Sequence, residues 1–148
     1  MSTVTTEQIQ TPYNSRIIDL YLQLLRQKYP HVDVNDLLSY ADMKPYQVAD
    51  HGHWFSQEQV DRFYERLMEV SQNPTIAREA GSYAAYIKTG NLFRPYFLAL
   101  LGPSNAYKVF EKASEYMTKS STFKVKKINE NRVEVIVTPR EGIHEKQY

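Results

Sequence analysis

Trp54-Phe55-Ser56-Gln57-Glu58-Gln59-Val60 is the stretch whose reading sets the register of the fold. Ser56 is placed to accept from the free amides of a first helical turn, Gln59 stands three residues on as the reciprocal member of a capping box, and Phe55 is spaced to staple onto Val60. The stretch predicts a helix from Gln57 to about Ser71, with Val60, Phe63, Tyr64, Leu67 and Val70 on one face. Each of these side chains, if fully buried, contributes roughly 1.5–3 kcal/mol. The face is therefore the seed of a core.

Upstream, apolar residues recur at helical spacing from Asn14: Ile17, Ile18, Tyr21, Leu24 and Leu25, stopping at Tyr29-Pro30, where proline disfavours helix in the residue before it. Asp33 is spaced to cap a short helix carrying Leu37, Leu38 and Ala41, which Lys44-Pro45 interrupts, and a further turn covers Tyr46 to Ala49. Downstream, Asn73-Pro74 reads as cap plus first-turn proline. The helix it opens carries Ile76, Ala77, Ala80, Gly81 and Ala84 and ends near Gly90. Its small residues mark either a plain packing face or a place where another backbone comes close. Arg94-Pro95 opens a segment whose apolar run Phe97 to Leu101 stops at Gly102-Pro103, and Ser104 starts a last helix with Ala106, Tyr107, Val109, Phe110, Ala113, Tyr116 and Met117.

Beyond Ser121 the period changes from helical to two. Phe123 and Val125 lie on one face of a first strand and Val133, Val135 and Val137 on one face of a second, with Asn129-Glu130-Asn131 between them. A three-residue loop with Asn131 left-handed pairs Phe123 with Val137, Val125 with Val135 and Lys126 with Glu134; a two-residue loop pairs Lys126 with Val135 instead. The three-residue loop is the expectation. The fold class is therefore α+β: a bundle of five to six helices followed by a C-terminal antiparallel β-hairpin packed on it or extending from it. Residues 1–12, rich in Ser, Thr and Gln, read as a flexible tail, and 13–148 as a single domain. A lone hairpin is marginal in water, and the chain stops at Ile143-His144-Glu145-Lys146-Gln147-Tyr148 without a stop signal. Either a second copy completes the sheet or these residues belong to a longer polypeptide, and the latter is the expectation.

The 148 residues, 42% hydrophobic and 24% charged, suffice for one domain with a real core. Eighteen Lys and Arg against seventeen Asp and Glu leave a formal charge of +1, so no global field draws the chain to nucleic acid or anionic lipid. Direct nucleic-acid binding and membrane association are not expected. The absence of cysteine removes disulfides, thiolate metal sites and a Cys nucleophile and suits a cytoplasmic protein. No apolar run approaches the ~20 residues of a membrane span.

Signals for chemistry are sparse. Asp50, His51 and His53 place a carboxylate and two imidazoles within four residues, part of a donor set for zinc or copper. Without HExxH spacing or a thiolate the set is incomplete, and a polar loop held by local hydrogen bonds accounts for it, so no metal is expected. A small metal-dependent enzyme built on these residues stands as a second alternative. His31 and His144 are isolated. Gly81-Ser82-Tyr83 is not a nucleophile elbow, and glycines 52, 81, 90, 102 and 142 are too scattered to cradle phosphate. Glu65 and Glu69 read as a solvated helix face. Lys119, Lys124, Lys126, Lys127 and Arg132, interspersed with Glu130 and Glu134, read as a solvated strand face. Aromatic content is the richer signal: 12 Tyr, 6 Phe and 1 Trp, with Tyr83, Tyr86, Phe93, Tyr96 and Phe97 grouped together. Rings with polar tips suit a small organic ligand, and equally a core or a dimer face. These five residues are the candidate ligand-binding set; no catalytic residue is expected.

From Asp36-Leu37-Leu38 through Ala41, Val48-Ala49-Asp50, Trp54-Phe55-Ser56, Val60 and Phe63 to Asn73-Pro74, Ala77 and Ala80-Gly81, the chain resembles the N-terminal input region found ahead of bacterial histidine kinases and nucleotide cyclases. It is similar, more distantly, to the ligand-binding half of AraC-type transcription regulators and to the haem nitric-oxide-binding and 4-vinyl reductase sensors. Leu100-Leu101-Gly102-Pro103, the helix through Phe110 and the hairpin from Phe123 to Thr138 continue the same layout. The resemblance implies a non-catalytic cytoplasmic sensory or dimerisation module with an output domain C-terminal to it, a homodimer among its expected assemblies, and a small organic ligand or a partner domain as its signal. An AraC-like regulator domain is the alternative. The chain has neither a Tyr-x-Ser-x-Arg haem clamp nor cysteines for a zinc site, so neither haem nor zinc is carried over.

Overall fold

Helices come first in the chain, as their caps foretell, and a β-hairpin comes last. The computed structural model describes residues 11–86, 105 and 107–140. Among them the order is β1 (Tyr13–Asn14), α1 (Ser15–Lys28), α2 (Val34–Tyr40), α3 (Pro45–Ala49), β2 (Trp54–Phe55), α4 (Gln57–Ser71), α5 (Ile76–Tyr86), α6 (residues 107–114), β3 (Ser121–Asn129) and β4 (Arg132–Pro139). This is the expected α+β class.

Helix starts are set by side chains that satisfy first-turn amides. Asn14 caps α1 through the Arg16 amide at 3.0 Å, and Asp33 caps α2 through Asn35 and Asp36. At α4 the capping box is complete: Ser56 Oγ accepts the Gln59 amide at 3.2 Å and Gln59 Oε1 accepts the Ser56 amide at 3.1 Å. Gln59 also donates to the Asp42 carbonyl at 2.8 Å, fastening the entry of α4 to the exit of α2. Phe55 and Val60, the two ends of the staple, are both buried.

The amphipathic faces close on one another. α1 packs against α3 and α5, and α2 against α4. The core gathers Ile18, Leu24 and Leu25 of α1, Leu37 and Leu38 of α2, Val48 of α3, Val60, Phe63 and Leu67 of α4, and Ile76 and Ala80 of α5 around Phe55. Tyr21, Phe63 and Tyr64 form an edge-on aromatic trio, in which Tyr64 Oη donates to Tyr21 Oη at 2.9 Å; burial pushes the Tyr21 phenol up from its ordinary pKa.

Several expectations need correcting. No strand is expected before the first helix, and Trp54-Phe55 reads as a helix entry, yet Tyr13–Asn14 pairs antiparallel with Trp54–Phe55. Two residues a side carry too little periodicity to register as strands. α5 begins at Ile76, because Asn73 caps a turn through the Thr75 amide at 2.9 Å before the helix starts. Among the described residues nothing comes within 4 Å of where a Gly81 side chain would begin. The last helix ends at 114, and Tyr116, expected on its apolar face, lies beyond it, 69% exposed. The expected end of α5 near Gly90, the segment from Arg94 to Pro103 and the expected helix start at Ser104 lie outside the described residues.

In the hairpin the register is the expected one, with Phe123 opposite Val137, Val125 opposite Val135 and Lys126 opposite Glu134, but the device that sets it differs. Asn129 pairs with Arg132 across a two-residue turn, and a bulge between Lys127 and Asn129 supplies the extra residue, Ile128. Asn131 is not left-handed; the positive-φ non-glycine residues among those described are Asp42 and Gln72. The turn is held by Asn129 Oδ1, which accepts the Asn131 amide at 3.0 Å.

Candidate functional site

The hairpin and α6 form an arm that contributes no apolar side chain to the buried core among the described residues; its buried residues are Ser114, Ser120 and Ser121. Among the described residues, the contacts that fasten the arm to the helices are polar, and they converge on β1. The Asn14 amide donates to the Met117 carbonyl at 2.9 Å, and the Lys119 amide donates to the Pro12 carbonyl at 2.6 Å. Tyr13 bridges Thr118 on the side opposite β2. Lys119 Nζ sits 4.1 Å from the centre of the Trp54 ring, a cation–π contact across the same seam.

Asn14 is the hub. Its Oδ1 caps α1, while its Nδ2 donates to the His51 carbonyl at 3.0 Å and, at 3.4 Å, to that of His53. Ser15, also buried, donates through its hydroxyl to the Asp50 carbonyl at 2.6 Å and through its amide to the His53 carbonyl at 3.0 Å. One buried asparagine thus joins a helix start, the 50–53 loop and the arm. Buried polar groups persist only when partnered, and no buried side-chain nitrogen or oxygen among the described residues lacks a partner.

The same loop carries the sequence-level metal candidates, and its side chains part company. Asp50 Oδ1 accepts the Gly52 amide at 2.8 Å, His51 Nε2 stands 3.6 Å from Asp19 Oδ2, and the His53 ring lies edge-on to Phe55 at 4.7 Å. The loop's backbone carbonyls, rather than its imidazoles, carry the structural load. Among the described residues no group of three or more His, Asp or Glu is arranged to hold a metal ion.

Of the five candidate ligand residues, Tyr83 is half-buried against the core cluster. Tyr86 closes α5, and nothing is described of its side chain; Phe93, Tyr96 and Phe97 lie outside the described residues. A shallow depression lined by Asp42, Ser56, Glu58, Gln59 and Arg62 lies at the start of α4. At the other end of the bundle, Glu79 accepts from Tyr29 Oη at 2.6 Å, Lys28 Nζ at 3.0 Å and Asn73 Nδ2 at 3.0 Å, tying the end of α1 to α5. The Tyr29 hydroxyl, ahead of the Lys28 ammonium, holds the Glu79 carboxyl below the usual range, and the same bond raises the Tyr29 phenol.

Sequence reasoning found the 50–53 loop but missed the seam. The available signal was Pro12-Tyr13-Asn14 directly before an apolar-periodic run, with Asn14 read as a boundary and not as a bridge. No helix among the described residues is long and apolar enough to cross a membrane. Compared with known proteins, the chain matches no family model, no curated protein and no solved structure.

Proposed function

We propose that this chain is a non-catalytic sensory or regulatory input module of a cytoplasmic signalling protein, of the kind placed ahead of a histidine kinase or nucleotide cyclase, in which the arm's docking on the helical core is the switched element. The observation that carries the reading is the polar seam: a hairpin arm attached through Asn14, Trp54, Met117 and Lys119 that, among the described residues, contributes no apolar side chain to the buried core. Contacts of this kind open at lower free energy than the core they rest on. A ligand that favours one docking of the arm shifts the population by its differential affinity and no more. Couplings of about 1–3 kcal/mol are typical of such devices.

The test is a screen of small organic metabolites by thermal shift, followed by amide exchange on the hits. A supporting ligand raises Tm, slows exchange across residues 117–140 and is recovered chemically unchanged. Turnover of any hit, or protection confined to α1 and α4, overturns the reading.

A further inference from the structure

The two edges of the hairpin are treated differently. The pairing of the Arg140 amide with the Ser120 carbonyl at 2.8 Å fixes the phase of the ladder, so Phe123 and Val125 of β3 and Val133, Val135 and Val137 of β4 turn their backbone groups outward. On β3 that edge is closed. The Val125 amide donates to Glu111 Oε2 of α6 at 2.7 Å, Phe110 packs edge-on against Phe123, Lys124, Lys126 and Lys127 charge the strand, and the bulge at Ile128 breaks its line. These are the usual protections of a sheet edge. On β4 the comparable devices are Pro139 at the end and the charges of Arg132 and Glu134, and from Val133 to Val137 the edge has no partner among the described residues. Its side chains are apolar and open: Val135 is 40% exposed, Val137 51% and Ile136 44%.

The strand is also complementary to itself. Antiparallel pairing of two β4 strands about a two-fold axis at Val135 sets Val133 against Val137, Glu134 against Ile136 and Arg132 against Thr138, and brings Glu130 opposite Arg140. No like charges meet. Centring on Glu134 instead would oppose two glutamates. In the Val135-centred register the outward amides and carbonyls of Val133, Val135 and Val137 satisfy one another, and the valine rows of both copies lie on the face that carries Phe123, against which Phe110 of α6 packs. We infer that a second copy of this chain adds its β4 to this edge, making a four-stranded sheet across a two-fold axis. The inference stands apart from the sensory reading, since strand pairing carries no assumption about a signal.

The chain has no cysteine, so single-cysteine variants read the axis cleanly. Residues facing each other in a hydrogen-bonded pair have Cα atoms about 5.5 Å apart, inside the disulfide range of about 4.4–6.8 Å. Sedimentation equilibrium of the full chain is expected to show a concentration-dependent dimer, and Val135→Cys to oxidise to a covalent dimer, whereas Lys126→Cys on β3 does not. Arg140→Glu, which leaves the hairpin interior untouched, is expected to weaken association at least tenfold, and the double swap Glu130→Arg with Arg140→Glu to restore it. A monomer at every concentration overturns the inference. So does a dimer that cross-links as readily through residue 126 as through 135, or one indifferent to Arg140→Glu.

Discussion

Asn14 concentrates more structural duty than any other polar residue described. Its amide oxygen caps α1, its amide nitrogen serves the carbonyls of His51 and His53, and its backbone reaches Met117, all at 1% exposure. Asn14→Ala removes a helix cap, a loss of about 1 kcal/mol, and takes the side-chain donor from the part-buried His51 carbonyl at a further cost of about 1–2 kcal/mol, while the His53 carbonyl keeps the Ser15 amide. The expected destabilisation is about 2–3 kcal/mol, read from urea unfolding followed by far-ultraviolet circular dichroism; a loss below about 1 kcal/mol would show that water replaces the side chain. Glu79 gives a pH-dependent counterpart. Its carboxyl is held below the ordinary range in the folded state, first by Tyr29 and then by Lys28, so its contribution is fully present above the ordinary carboxylate pKa and is lost as pH falls through the depressed one. Tyr29→Phe is expected to flatten the acid limb of the stability curve below the ordinary carboxylate range, by no more than about 1 kcal/mol because the cluster faces solvent. An acid limb unchanged by Tyr29→Phe would remove Glu79 from the account.

At the level of elements, helix starts were most legible where a cap is local chemistry: Asp33 and Ser56 each announce a helix and each accepts from the first turn it precedes, whereas Asn14 marks only where the apolar period begins, and its cap is seen in the fold alone. Two-residue strands are not legible, since β1 and β2 exist only through each other. The site followed the same rule. The imidazoles of His51 and His53 drew attention as side chains, whereas their function in the fold is to present carbonyls to Asn14 and Ser15, which no residue pattern announces. The hairpin shows a third case, a register read correctly from matching valine faces with the wrong turn beneath it. A two-residue turn without left-handed residues splays its strands, and the bulge at Ile128 absorbs the misfit. Deletion of Ile128 is therefore expected to weaken the hairpin, with faster amide exchange across β3 and β4. Glu130→Asn with Asn131→Gly in the deleted chain is expected to recover it by allowing a type I′ turn. Cross-strand contacts between Phe123 and Val137, followed by nuclear Overhauser effects, decide the matter: their survival in the deletion without the Asn-Gly turn would show that valine packing alone holds the register.

On the scale of the whole molecule, charge divides along the same line as the core. Residues 11–86 carry seven Lys and Arg against ten Asp and Glu, whereas 107–140 carry eight against four, so a near-neutral chain is an acidic bundle bearing a basic arm. The two are joined by backbone hydrogen bonds at Asn14 and Lys119 and by the Lys119 ammonium over Trp54. Opposite net charges draw the arm down, and salt screens that attraction over a Debye length of about 10 Å at 0.1 M. Unfolding should then lose its all-or-none character, because the arm can leave while the apolar core, drawn among the described residues from those before Gly81, stays whole. Trp54, the single tryptophan, lies in the seam and reports this step. Its fluorescence is expected to change at lower urea than the helical signal, and the gap to widen as salt is added. Lys119→Ala removes a contact of about 0.5–1 kcal/mol, so arm amides should exchange roughly two to five times faster while those of α1 and α4 keep their rates. Coincident fluorescence and dichroism transitions, insensitive to salt and to Lys119→Ala, would mean that arm and core are one cooperative unit, and the polar seam would no longer support the proposal that the arm's docking is switched.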